Sequence, residues 1–482
     1  MKATELTLAE LSHEISSGGV SPVSVVEAFL KRIEELNPHL NAYILTLKDR
    51  AFKEAEERER ELREGRYRGP LHGIPISLKD NIMTKEIRTT AGSKVLSEWI
   101  PDYDAAIVER LRNSGAIILG KTNLDEWAMG PCTINPFFGT TRNPWDLDRI
   151  AGGSSGGSAS AVAASLCIAS VGTDAAGSVR IPASLCGIVG LKPTFGRVPR
   201  HGIVHASGYW TLDTVGPLTK TVQDAGILMG VLAGPDERDK ASLGVPTFGS
   251  LDVDLDTDGM KVGMIRQLLD TVSRDVGEAV RNSSKVLEGM GMVIQDVAIP
   301  HLPYASIIWS VIGRVESWAA NEEYIRSKPQ DYSRDILGRV LLGKFIEGSH
   351  YLKAQRARAV LIQEVYDALK KVDFLIAPTT PIPAPTIDEY LSGHLEVDGV
   401  KHEEGGIFLA TCTLPFNLTG HPVLSVPCGL SSSGLPLGLQ IIGKAFDEAR
   451  ILSMARQYEK RSGSLSYSVE ERLRALRTEE RV

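Results

Sequence analysis

Cysteine is scarce in this 482-residue chain: five residues, Cys132, Cys167, Cys186, Cys412 and Cys428, lie far apart with no CxxC pair. An odd, scattered set argues against a disulfide framework or a paired-cysteine zinc site and points to a reducing compartment. A basic excess is also missing. Lys and Arg number 53 against 60 Asp and Glu, a net charge of −7, so no general nucleic-acid surface is expected. No run approaches 18 uninterrupted apolar residues, and no membrane-spanning helix is expected. The start, MKATELTLAELSHEISSGG, reads as an amphipathic helix and lacks the basic head and apolar middle of a signal peptide. The expected location is the cytoplasm. With 43% hydrophobic and 23% charged residues, the chain has ample material for a globular core.

What is present is a rhythm of strands and helices. SPVSVVEAFLKRIEEL opens with Ser21 as N-cap and Pro22 at the first helical position, and Val25, Val26, Phe29, Leu30, Ile33 and Leu36 form one apolar face. LKDRAFKEAEERERELREGR reads as a charged, solvated helix. From Pro70 short apolar runs alternate with helical stretches. GIPISLKDN, IILGKTN, IASVGTD, KVGMIRQ, VDFLIAPTT and PVLSVPCG read as strands; AAIVERLRNSGA and SGGSASAVAASL read as helices. This pattern predicts an α/β fold with a central mixed, twisted sheet covered by helices on both faces. It reads as one domain over 1–482, a helical segment over 1–66 packed on a catalytic core over 67–482.

Two glycine–serine clusters interrupt the rhythm, GGSSGGS at 152–158 and AAGS at 175–178. The first carries neither the lysine of a phosphate loop nor the GxGxxG spacing. Its flanks are apolar and periodic, so it is no linker but a close-packed turn presenting serine hydroxyls. Ser178 follows the strand IASVGTD and precedes a short helix, where unpaired amides of Ala175 to Ser178 would form an oxyanion hole. A serine there is a candidate nucleophile, although an N-cap is the common role. A nucleophile needs a base. Of the histidines, His201 and His205 lack the glutamate of HExxH, and His72 and His421 sit beside turns. Lys79 is the better candidate. Ile74, Ile76 and Leu78 take one face of its strand and Ser77 and Lys79 the other, with Lys79 at the carboxyl end where open α/β sheets place their sites. A buried lysine can work as a neutral base.

GIPISLKDN, GGSSGGS and GTDAAGSVRIPASLCGIVGLKPT together resemble the amidase signature family of serine hydrolases. The likeness extends through GKTNLDEWAMG, NPFFGTTRNPWD, VGPLTKTVQDA and APTTPIPAP, from about Pro70 to Gly443, and the interval from Ser154 to Ser178 matches. The resemblance implies a Ser178 nucleophile, a neutral Lys79 base and a proton relay at Ser154, which follows a cis peptide bond. Ser155 would support the network, amides of Ala175, Ala176 and Gly177 would hold the oxyanion, and Asp174 and Arg180 would form a buried brace. One departure is Ala176, where the family has glycine. The implied reaction is amide hydrolysis through an acyl-serine, with no metal or organic cofactor.

One branch of that family comprises the glutamine-hydrolysing subunits of aspartyl/glutamyl-tRNA amidotransferases. Arg339 falls where the branch keeps an arginine for the glutamine carboxylate. Its aspartate for the amino group aligns with Ala410, and its tyrosine position aligns near Trp309 or Ser310. A desolvated ammonium needs a partner. The sequence therefore favours a stand-alone amidase for an apolar or aryl amide; the amidotransferase component is the alternative. Pro131, Cys132 and Thr133 are expected in one pocket wall, and Tyr209, Trp210 and Trp309 in another. The expected partner is a small amide, not a membrane or a nucleic acid, and a homodimer stays open. A non-catalytic binding protein is opposed by the complete set Lys79, Ser154 and Ser178.

Overall fold

A computed structural model describes residues 2–204, 208–245, 255–403, 405–463, 469–470 and 472–473. Its centre is an eleven-stranded mixed sheet. In chain order the strands are β1 (Tyr43–Thr46), β2 (Pro75–Lys79), β3 (Ile117–Thr122), β4 (Ala169–Asp174), β5 (Val189–Lys192), β6 (Thr214–Thr219), β7 (Lys261–Ile265), β8 (Val293–Val297), β9 (Phe374–Pro378), β10 (Val423–Leu430) and β11 (Pro436–Ile442). Across the sheet they run β1-β3-β2-β4-β6-β5-β10-β11-β9-β7-β8. Neighbours β3, β2 and β4 are parallel, as are β9, β7 and β8, while the strands between them pair antiparallel.

Period-two alternation divides the side chains between two cores. In β9, Phe374 and Ile376 join one cluster while Leu375 and Ala377 join the other. The first cluster packs against α1 (Leu8–Ser16) and α2 (Pro22–Leu40), with Leu8, Leu11, Val25, Phe29 and Ile33 fully or nearly buried beside Ile74 and Val171. Thr7 and Glu10 close a capping box on α1, and the Ser21 hydroxyl accepts from the Val23 amide at the start of α2. Helix α3 (Lys48–Arg63) carries the expected charged surface, with pairs such as Arg63–Glu59. No described helix is long and apolar enough to cross a membrane.

Two short helices follow the glycine–serine clusters, α4 (Gly156–Ala163) after β3 and α5 (Arg180–Cys186) after β4. Helices α6 (Ala305–Ser327) and α8 (Gly348–Lys371) bank against the second core, whereas α7 (Arg334–Gly343) buries Ile336 and Val340 in a separate cluster with Trp127; α6 and α7 wall the space beyond the end of β4.

Candidate active site

Lys79 ends β2 and Asp174 ends β4, and these strands are parallel neighbours with Leu78 opposite Val171. Residues at their carboxyl ends are thus brought side by side. Every residue of β2 is buried, and Lys79 is 0% exposed. Its Nζ donates to Ser154 Oγ at 2.7 Å and Thr173 Oγ1 at 3.0 Å. Burial drives its pKa down to about 8, against the pull of Asp213, Asp125 and Asp174.

The first cluster is packed, not flexible. The Gly153–Ser154 peptide is cis. A Cβ on Gly153 would stand 2.2 Å from Asp125 Oδ2 and 2.5 Å from the Cys132 nitrogen, so only glycine fits. Asp125 is buried and accepts from the Thr133 amide at 2.8 Å and the Cys132 thiol at 3.2 Å. Thr133 bridges the cluster, donating to the Gly152 carbonyl at 2.9 Å and accepting from the Gly156 amide at 3.0 Å. The Ser155 amide donates to the Ser178 carbonyl at 3.1 Å, and its hydroxyl to the Thr173 carbonyl at 3.2 Å. These bonds pin the two serine loops together.

In the second cluster Asp174 organises the turn. It accepts from the Gly177 amide at 2.8 Å and the Val179 amide at 3.2 Å, and pairs with Arg180 through Nε at 3.0 Å and Nη2 at 2.9 Å. Burial would raise its pKa, but Arg180 and Asn417 hold it well below the usual carboxylate range. Arg180 reaches on to the Thr413 carbonyl at 2.9 Å, Gln440 Oε1 at 2.7 Å and Asn417 Oδ1 at 2.7 Å. Replacing Arg180 by methionine is expected to destabilise the fold by about 3–5 kcal/mol, because Asp174 is left buried without its countercharge. An unchanged melting temperature would exclude a bracing role.

One expectation needs correction. The Gly177 amide is occupied by Asp174, so it is not free to face an oxyanion. The amides of Ala175, Ala176 and Ser178 have no protein acceptor among the described residues. Ala176 is absent from the residues with positive φ, so the replaced glycine introduces no left-handed strain, whereas Gly177 has φ 127°.

Ser178, 9% exposed, opens onto a cavity of about 410 Å³. Tyr209, Trp309, Tyr390, Arg314 and Arg339 line it, with Pro131, Ser310 and Ala410. The Trp309 Nε1 donates to the Ala175 carbonyl at 2.9 Å, and its ring meets Tyr209 at 5.0 Å. Three residues expected in the walls stand elsewhere. Cys132 and Thr133 are buried behind the wall, turned inward toward Asp125, and Trp210 lies 53% exposed beside the Arg200 guanidinium. Among the histidines, His72 is buried against the Arg58 carbonyl, His201 stacks on Tyr103, and His205 lies outside the described residues. Asp125, Asn417, Gln440, Tyr390 and Arg314 were not singled out from the sequence. The spacing of Ser310, Arg314 and Ser317, one turn of helix apart, could have flagged a shared face.

A family model described as Amidase matches residues 24–452. One glutamyl-tRNA(Gln) amidotransferase subunit, from Sulfurihydrogenibium sp., is 38% identical over 485 residues, covering 95% of this chain and 98% of its own. A structure described as a vestigial protein complex that reveals the evolutionary origins of an s-triazine catabolic enzyme superposes with a TM-score of 0.89. It is 32% identical and covers 95% of this chain and 99% of its own. A bacterial aryl acylamidase of the amidase signature family gives a TM-score of 0.87 at 27% identity, covering 96% and 98%.

Proposed function

Since the chain belongs to the amidase family, we propose that it hydrolyses a carboxamide through an acyl enzyme on Ser178, with Lys79 as general base and Ser154 as relay. The observation that carries this reading is the 2.7 Å contact from the buried Lys79 to Ser154, in a loop bonded to that of Ser178. Ser178 Oγ attacks the carbonyl carbon while its proton moves by way of Ser154 to Lys79. The amides of Ala175, Ala176 and Ser178 face the developing oxyanion, and Asp174, by holding the Gly177 amide, fixes their direction. Lys79 returns the proton to the departing nitrogen, the C–N bond breaks, and water entering by the same path releases the acid.

For the substrate, the support has moved from the apolar or aryl amide expected from the sequence to a polar aliphatic amide. Arg314, Arg339, Ser310 and Ser317 give the cavity a polar side, and the curated relative named above belongs to an amidotransferase, the reading placed second from sequence. Ammonia release from butyramide and aniline release from acetanilide test this, alongside labelling of Ser178 by a fluorophosphonate. Labelling with aliphatic turnover ahead is expected. An unlabelled Ser178 overturns the mechanism, and acetanilide as the better substrate overturns the substrate class.

The relatives favour the reading placed second from the sequence over a stand-alone aryl amidase: the chain would be the corresponding component of a tRNA amidotransferase, passing ammonia to a partner. Its mark is turnover of glutamine that appears only when partner subunits and tRNA are added. Turnover of small amides by the chain alone decides against it.

A further inference from the structure

The two arginines of the cavity are not equivalent. Arg339 is answered by Asp335 one turn earlier on α7, with Nε 2.9 Å from Oδ1 and Nη2 2.8 Å from Oδ2, and its Nη1 donates to the Met129 carbonyl at 3.3 Å. Arg314, half-buried on α6, has no hydrogen-bond or ion-pair partner among the described residues. It shares a helix face with Ser310 and Ser317, and all three line the cavity. No aspartate or glutamate stands among the described lining residues, and Ala410 offers only a methyl group. The space therefore presents one uncompensated guanidinium and no anion.

Resting on the acyl-enzyme reading above, we propose that Arg314, rather than Arg339, anchors the acyl donor, and that this donor is a short aliphatic carboxamide with a carboxylate at its far end and no ammonium. A planar guanidinium pairs with a carboxylate through two parallel hydrogen bonds, and it does so most strongly where water is excluded. An ammonium brought to the same wall would lose its hydration with no carboxylate to replace it. The Tyr209 and Trp309 rings provide an apolar passage for the methylene chain. Gly313 permits this arrangement, since a Cβ there would already sit 3.0 Å from Tyr209 Cε1.

Three probes share one amide end: glutaramate carries the carboxylate alone, butyramide lacks it, and glutamine adds the ammonium. Ammonia release by the full chain is expected to give glutaramate a kcat/KM about tenfold or more above both others. Arg314→Met should collapse the preference for glutaramate over butyramide, mainly through KM, and Arg314→Lys should recover part of it. Arg339→Met should keep the preference. Equal use of glutaramate and butyramide, glutamine as the best of the three, or a larger effect at Arg339 than at Arg314 overturns the proposal. The comparison of the three probes on the unsubstituted chain holds even if a variant misfolds. Fluorophosphonate labelling of Ser178 separates the failures: a labelled chain with no preference sinks the anchor alone, whereas an unlabelled, inactive chain sinks the mechanism beneath it.

Discussion

Ser178→Ala is expected to lower kcat by about three orders of magnitude or more while leaving the melting temperature nearly unchanged. The hydroxyl faces the cavity and has no partner among the described residues, so its removal strands no buried donor or acceptor. The residual rate comes from binding and the oxyanion donors alone. Ser154→Ala differs, because it takes an acceptor from Lys79 and leaves Thr173 Oγ1 as the remaining short contact. It should cost activity and some stability together. Turnover by Ser178→Ala at the rate of the unsubstituted chain would remove this serine from the mechanism.

The second large effect lies at Lys79. A general base must be unprotonated to act, and the neutral fraction of a lysine rises with pH. With its pKa lowered to about 8, kcat/KM is expected to rise about tenfold per pH unit from acid toward 8 and to level off above it. A normal lysine would still be climbing near pH 10. Lys79→Met keeps the length and apolar stem, and Lys79→Arg keeps the charge, yet neither can accept a proton at these pH values. Both should lose about three orders of magnitude in kcat, and the small residual rate should no longer follow the rise with pH expected of the unsubstituted chain. A flat profile between about pH 5 and 9 in the unsubstituted enzyme, or an active arginine variant, would exclude the role.

How much of this was legible in the sequence follows from how local each signal is. β2, β3 and β4 announce themselves through short apolar runs ending in polar residues, and Ser21 and Pro22 mark a helix start without outside help. Lys79 ends β2 and Ser178 lies in the turn after β4, so their meeting at one site follows from topology once β2 and β4 are neighbours. The side of a loop on which a residue falls is a different matter. Thr133 takes φ 57° and turns inward because Asp125 captures its amide. That contact cannot be read from GKTNLDEWAMGPCT. Trp210 is drawn outward by Arg200, and the cavity depends on α6 and α7, far along the chain from the serines. The departure at Ala176 is settled by backbone geometry: the loop concentrates its left-handed demand on Gly177, where a Cβ would come within 2.2 Å of Thr413 Oγ1.

The brace around Asp174 also has a history in time. Arg180 takes its partners from Thr413, Asn417 and Gln440, some 233 to 260 residues further along the chain. During synthesis the nucleophile loop leaves the ribosome long before the segment that fixes it, and long-range contacts of this kind form late. A nascent chain ending short of Thr413 holds Ser178, Ser154 and Lys79 yet lacks Thr413, Asn417 and Gln440, three of the groups that hold Arg180. On the proposed mechanism, hydrolytic competence is expected only once the segment carrying Thr413, Asn417 and Gln440 has packed against this loop.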